Sequence, residues 1–366
     1  MINKQDKFLV LIVMVFMLLC INTFSHSRKK DEISEEVNNY NYIGKFVFDE
    51  SKYKHITLDI EDEGYDMYSP TSSTAYRYGP SIIKHEDETY EALFSSPGNL
   101  RDEWDYIRYR ESDDGLYWYN EQIVLKPTRN SEDCCSTCDP GLIYFNGYYY
   151  LGYTSTSARS LNGYDNSVFV ARSESIDGPY EKWNGESWGG SPVPIIRFEG
   201  EDKYWGYGEP SFVVKDDKLY IYYSAYIDVG SITYVATADL SENWPNTITD
   251  SQIAFNKIYG QDSSEVVYVE DADMFLSLSI GDRLNEGSFV CLFESKDGIK
   301  FDFVERIYGI MPYAHSIGIS KDKNGHVNSE EDLLIGYAYG ETWGRWATRM
   351  HNVKLRVYHG EAGEHD

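Results

Sequence analysis

The chain has 366 residues, with 60 Asp and Glu against 33 Lys and Arg and a formal net charge of −27. That charge repels polyanions, so neither a nucleic acid nor an anionic lipid face is the expected partner. A hydrophobic fraction of 42% with only 11 Pro excludes a disordered chain, and the unusual number is aromatic: 33 Tyr, 16 Phe and 8 Trp.

Phe8 to Ile21 is an unbroken apolar run of 14 behind Lys4 and Lys7. Its length suits the core of a secretory signal peptide, with small residues at Thr23 and Ser25 for cleavage, or an uncleaved membrane anchor over residues 1–26. Either way the rest is expected to be secreted or extracytoplasmic. Leu19 before Cys20 is not the small residue that lipoprotein processing needs. The later Cys134, Cys135, Cys138 and Cys291 permit one or two disulfides. Cys135-x-x-Cys138 has no second pair nearby to complete a zinc site, so no metal ligands are assigned.

Residues 27–74 read as an N-terminal segment, partly strand. Through residues 75–350 one phrase then recurs: an opening residue, a β run, a turn, a second Tyr-rich run and a third strand ending near an acidic turn. It is clearest in Asp139-Pro140-Gly-Leu-Ile-Tyr-Phe-Asn-Gly-Tyr-Tyr-Tyr-Leu-Gly-Tyr153, where Asn146-Gly147 signals a two-residue hairpin. Other copies open at Gly79, Glu209, Glu265 and His315, 50 to 70 residues apart. Residues 351–366 read as a C-terminal strand and an acidic tail.

Short strands repeated at this period predict an all-β chain, a five-bladed β-propeller, with a β-sandwich as the competing architecture. In a propeller the first strand of each blade lines the central channel, so the five opening residues converge there. Three of them, Asp139, Glu209 and Glu265, are acids. Glycoside hydrolysis needs two carboxyl groups flanking the scissile bond, one protonated and one ionised, and a ring of enclosed acids pushes their pKa values apart. Arg77, Tyr78, Trp205, Tyr207, Trp343, Arg345 and Trp346 add the flat apolar faces and fixed donors that a sugar ring takes. The Asp-Gly pairs at 114–115, 177–178 and 297–298 read as tight turns rather than calcium loops. No GxSxG, Walker loop, GxGxxG or HExxH is present.

The phrases DPGLIYFNGYYYLGYTST, VFVARSESIDGPYEKW and GEPSFVVKDDKLYIYYSAY resemble the five-bladed propeller glycosidases, chiefly glycoside hydrolase family 43 and its relatives, over residues 75 to 345. The resemblance implies an O-glycosyl hydrolase acting on a poly- or oligosaccharide, inversion at the anomeric carbon and no required cofactor. It places Glu265 where the general acid is expected, Glu209 where a pKa-tuning carboxylate is expected and His315 beside a central calcium or water cluster. The family's general base opens blade one, where this chain has Gly79. Asp139 is then the provisional base, or the acidic segment Asp59 to Asp66 supplies the missing group. The alternative is a glycan-binding propeller that has lost its base and does not cleave.

Overall fold

The Tyr- and Val-rich runs form strands because β-branched and aromatic side chains pack well on a pleated surface, and Asn, Asp and Gly turns separate them. The computed structural model describes residues 55–71, 75–157, 163–200, 204–227, 230–256 and 261–358. They belong to one unit, His55–Glu361. The apolar leader and most of the 27–74 segment lie outside them. No helix among the described residues is long and apolar enough to cross a membrane.

The chain is all-β, as expected, and its strands fall into five antiparallel meanders. The first comprises β3 (Tyr78–Lys84), β4 (Tyr90–Pro97), β5 (Asp105–Ser112) and β6 (Tyr119–Leu125). The second is β7 (Cys138–Phe145), β8 (Tyr148–Ser155), β9 (Ser167–Ser173) and β10 (Glu181–Lys182). The third is β11 (Gly206–Lys215), β12 (Lys218–Ile227), β13 (Gly230–Asp239) and β14 (Gln252–Asn256). The fourth runs through β15 (Glu265–Val269), β16 (Met274–Gly281), β17 (Phe289–Ser295) and β18 (Asp302–Ile307), with β20 (His326–Val327) parallel to β15.

The last meander is assembled from both ends of the sequence. β19 (Ala314–Lys321), β21 (Leu333–Tyr339) and β22 (Ala347–Val357) are joined on the outer side by β1 (Ile56–Ile60) and β2 (Tyr65–Tyr68). The expected boundary at 350 therefore falls inside β22, and residues 55–68 belong to this sheet rather than to a separate segment. β19 also pairs in parallel with β3 over Ser320 and Lys321, which merges the last and first meanders into one nine-stranded sheet.

Apolar clusters lie between successive meanders. Leu142, Leu151 and Tyr153 pack with Ile83 and Leu93 between the first two. Tyr150 and Phe212 lie between the second and third, Tyr222 and Phe255 between the third and fourth, and Val267 and Ile319 between the fourth and fifth. Ile82, Phe94 and Met350 lie between the fifth and the first. Much of the Tyr surplus is thus sheet-on-sheet packing, each buried ring contributing about 1.5–3 kcal/mol. The predicted hairpin at Asn146-Gly147 has φ of 51° and 85°, the doubly left-handed turn that this dipeptide favours.

Two glycines set how closely the opening strands approach. A Cβ on Gly141 would collide with the carbonyl of Pro210, and one on Gly318 with that of Pro80. Cys134, Cys135, Cys138 and Cys291 are thiols, so the disulfides that their even number permitted are not formed among them.

Candidate active site

Four meanders open with the same local distortion. Pairing slips between Tyr78 and Ser81, Cys138 and Gly141, Gly208 and Ser211, and His315 and Gly318. In each bulge the first residue is left-handed: Gly79 at φ 60°, Asp139 at 52°, Glu209 at 54° and Ser316 at 52°. This conformation costs about 1–3 kcal/mol for a residue with a Cβ and persists where surrounding structure enforces it. It turns these residues out of the pleat toward a common cavity, lined by Gly79, Asp139, Glu209, Ser263, Glu265 and Ser316. The predicted convergence of opening residues is therefore present, with Ser316 rather than His315 in the bulge of the fifth meander. In the fourth, Val266 N–H reaches Ser211 as Leu142 N–H reaches Ser81, which makes Ser263 the counterpart of Asp139.

Asp139 and Glu209 are adjacent in this ring. Thr154 accepts the Glu209 N–H at 2.7 Å and its hydroxyl bonds to the Asp139 carboxyl. Burial, reinforced by the negative charge of Glu209, pushes Asp139 up to about 7. Tyr226 donates to Glu209 at 3.2 Å and receives a bond from Arg283 at 3.0 Å. Behind them Asp262 is buried and accepts the Ser316 N–H at 2.5 Å.

Glu265 lines the cavity but its carboxylate is held by Lys321 at 2.6 Å, both side chains buried between the fourth and fifth meanders. His315 is buried, its Nδ1 3.1 Å from Ser316 Oγ, its Nε2 without a partner, and its ring packed on Trp346 and beside Tyr78. Burial and Arg283 drive its pKa well below the ordinary value, so it is a neutral imidazole. A calcium takes six to eight oxygens, whereas the groups around His315 are two aromatic rings, one hydroxyl and a repelling guanidinium. Among the described residues no group of three His, Cys, Asp or Glu is placed to hold a metal. These neighbours do not fit a calcium site.

The remaining candidates divide. Tyr78 joins His315 and Trp346, and Trp346 continues through Trp343 to Trp205, ring centroids 4.8 and 6.2 Å apart, forming an aromatic wall that ends in exposed rings. Arg345 is exposed in the turn beside it. Tyr207 instead packs with Tyr223 and Tyr234 of its own sheet and with Phe198 from the segment before β11. Arg77 is turned to Glu121 and the Tyr68 ring. The acids from Asp59 to Asp66 do not fill the place of Gly79: Asp59 binds Arg356, Asp62 binds Asn352 and Asp66 binds Arg349, all on β22, and Asp66 also accepts from Tyr339 at the end of β21. Asp114 and Asp297 each accept two backbone N–H groups just downstream, the tight turns expected.

Sequence reasoning missed Asp105, at the start of β5, whose carboxyl burial raises to about 6. It lies in a third strand, outside the repeated opening position, and no motif marks it.

No family model and no curated protein matches the sequence. Solved structures do. A family 117 glycoside hydrolase from the marine bacterium Zobellia galactanivorans is 17% identical, with TM-score 0.57 over 83% of this chain and 91% of its own. A thermostable family 43 glycoside hydrolase is 14% identical, with TM-score 0.57 over 82% of this chain and 98% of its own. An α-L-arabinofuranosidase from Podospora anserina, solved with cellotriose, is 12% identical, with TM-score 0.58 over 79% and 95%. The all-β fold is similar to that of these glycoside hydrolases. At such identities the likeness carries the fold and not the chemistry, which rests on the residues of the cavity.

Proposed function

We propose that the five meanders are the blades of a propeller and that the chain is a glycoside hydrolase, with Asp139 and Glu209 as its working carboxyls. The observation that carries this reading is Asp139, a carboxyl pushed up to about 7 at the centre of the cavity beside a second carboxylate. Such a group keeps its proton near neutral pH and can give it to a departing sugar oxygen. Glu209, oriented by Tyr226 with Arg283 behind it, is the partner carboxyl that activates water or attacks the sugar.

This division differs from the one expected from sequence, in which Glu265 was the acid and Asp139 the base. The Lys321 ammonium sits on the Glu265 carboxyl at 2.6 Å, so that carboxyl is engaged in a buried ion pair between two sheets rather than turned to a leaving group. The aromatic wall supports an oligosaccharide substrate. The arabinofuranosidase and arabinase among the similar structures make pentose-containing chains the first to test. The apolar leader supports action outside the cytosol.

The test is a screen of the purified protein against aryl α-L-arabinofuranosides, xylosides and galactosides and the matching oligosaccharides. Turnover that disappears in Asp139→Asn is expected, and proton NMR of the first-formed anomer separates inversion from retention. Gly79 favours the second reading, a glycan-binding propeller. Saturable oligosaccharide binding with no turnover in the wild type would establish that reading and overturn ours.

A further inference from the structure

The first meander opens with Gly79, yet it brings a carboxyl to Asp139 by another route. Asp105 opens β5 opposite Pro97 of β4, and Ser95 on β4 accepts the Asp139 N–H at 2.8 Å. Both Asp105 oxygens are engaged, Oδ1 by the Tyr76 hydroxyl and Oδ2 by Ser136 Oγ at 3.0 Å. Ser136 Oγ lies 3.5 Å from Cys138 Sγ, and Cys138 Sγ lies 3.4 Å from Asp139 Oδ2. Ser136 and Cys138 are both buried, so this line of contacts is shielded from bulk water.

Each of the two middle groups carries one hydrogen, which makes their orientations interdependent. While Asp105 is ionised, Ser136 gives its hydrogen to that carboxylate and offers a lone pair to the thiol. The Cys138 hydrogen then turns to Ser136 or to the Thr154 carbonyl, 3.6 Å from the sulfur, and away from Asp139. Once Asp105 is neutral, Ser136 can turn to the sulfur, and the thiol hydrogen swings to Asp139 and stabilises its ionised form.

We propose that Asp105 is a positioning residue that sets the protonation of Asp139 through Ser136 and Cys138, so that the two carboxyls hold one proton between them. What that proton is used for rests on the glycosidase reading; the coupling does not. The other groups facing Asp139 are Glu209 from β11, Tyr78 from β3 and the Thr154 hydroxyl from β8, with Arg283 behind Glu209. Those facing Asp105 are Tyr76, Tyr78, Ser136 and Cys138. None is a cation in contact with either carboxyl. Burial raises both acids, and for Asp139 the charge of Asp105 adds to that of Glu209.

The experiment is a 13C NMR titration of the full chain labelled at aspartate carboxyl carbons, with the Asp139 signal assigned by its loss in Asp139→Asn. Removing one negative neighbour and its relay in Asp105→Asn is expected to lower the Asp139 midpoint by about one pH unit. The same Asp105→Asn change in a Cys138→Ala background is expected to shift it by less than half as much, and Cys138→Ser is expected to restore the coupling. Ser136→Ala provides the same break should Asp105→Asn fail to fold. An Asp139 midpoint unmoved by Asp105→Asn overturns the proposal, and a shift equal with and without the thiol overturns the relay. A chain with no turnover sinks the glycosidase reading and leaves this titration as decisive as before.

Discussion

Two acidic corners line one cavity and differ in the charges that surround them. At the Asp139 and Glu209 corner Thr154 bonds to both residues, Tyr226 donates to Glu209, and Arg283 reaches Tyr226 rather than a carboxyl. At the Glu265 corner a buried ammonium closes directly on the carboxylate. In the first arrangement burial and a like charge raise Asp139 to about 7, whereas the second is a buried ion pair between two sheets. A carboxylate at the mouth of a repeat is therefore not a catalytic group by position alone; the cation within reach of it decides which kind it is.

The largest expected effect separates these corners by rate. Asp139→Asn should lower kcat by about 10²–10⁴-fold, the range for losing a general acid, while Glu265→Gln should leave turnover of the best aryl glycoside within about threefold. A Glu265→Gln enzyme as inactive as Asp139→Asn would return the acid role to Glu265. Stability should sort the other way. Lys321→Met leaves Glu265 buried and unpaired, costing about 3–5 kcal/mol in urea unfolding, and adding Glu265→Gln should recover most of it. Asp139→Asn should not unfold the protein.

A smaller effect lies in pH. Asp139 has a folded value of about 7 against about 4 in an unfolded chain, so the folded form holds a proton that the unfolded form releases. Its contribution is fully present below pH of about 4 and is lost as the pH rises through about 7. Urea midpoints should therefore decline across that window and flatten in Asp139→Asn. In the acid role the same group makes kcat/KM fall above its pKa. A midpoint as steep in Asp139→Asn as in the wild type would assign the decline to other groups.

The architecture was legible where local chemistry repeats itself. Asn146-Gly147 and the proline after Gly79, Asp139 and Glu209 mark hairpins and bulges that the structure reproduces. In the fourth and fifth meanders no proline follows the opening residue. There His315 stood in for Ser316, a one-residue slip that exchanges a residue facing the cavity for one packed among rings, and Glu265 stood in for Ser263, two residues earlier, with both lining the cavity. Asp105 and the pairing of β1 with β22 were not legible, because both depend on contacts between segments far apart in sequence.

The smallest expected effect concerns the aromatic wall, and it compares its two ends. Trp346 is buried against Tyr76, Tyr78 and His315, while Trp343 and Trp205 are exposed and touch only at 6.2 Å between centroids. An exposed ring contributes about 0.5–1.5 kcal/mol when a flat partner stacks on it. Trp343→Ala should thus weaken oligosaccharide binding by roughly two- to tenfold with little change in Tm, measured by calorimetry on the Asp139→Asn protein so that no substrate is consumed. Trp346→Ala removes a ring from a packed cluster and should lower Tm as well, by the cavity it leaves. A monosaccharide glycoside should not register Trp343→Ala if that ring stacks on a residue beyond the cleaved one. An equal loss for the monosaccharide and the oligosaccharide would place Trp343 against the sugar at the carboxyls themselves.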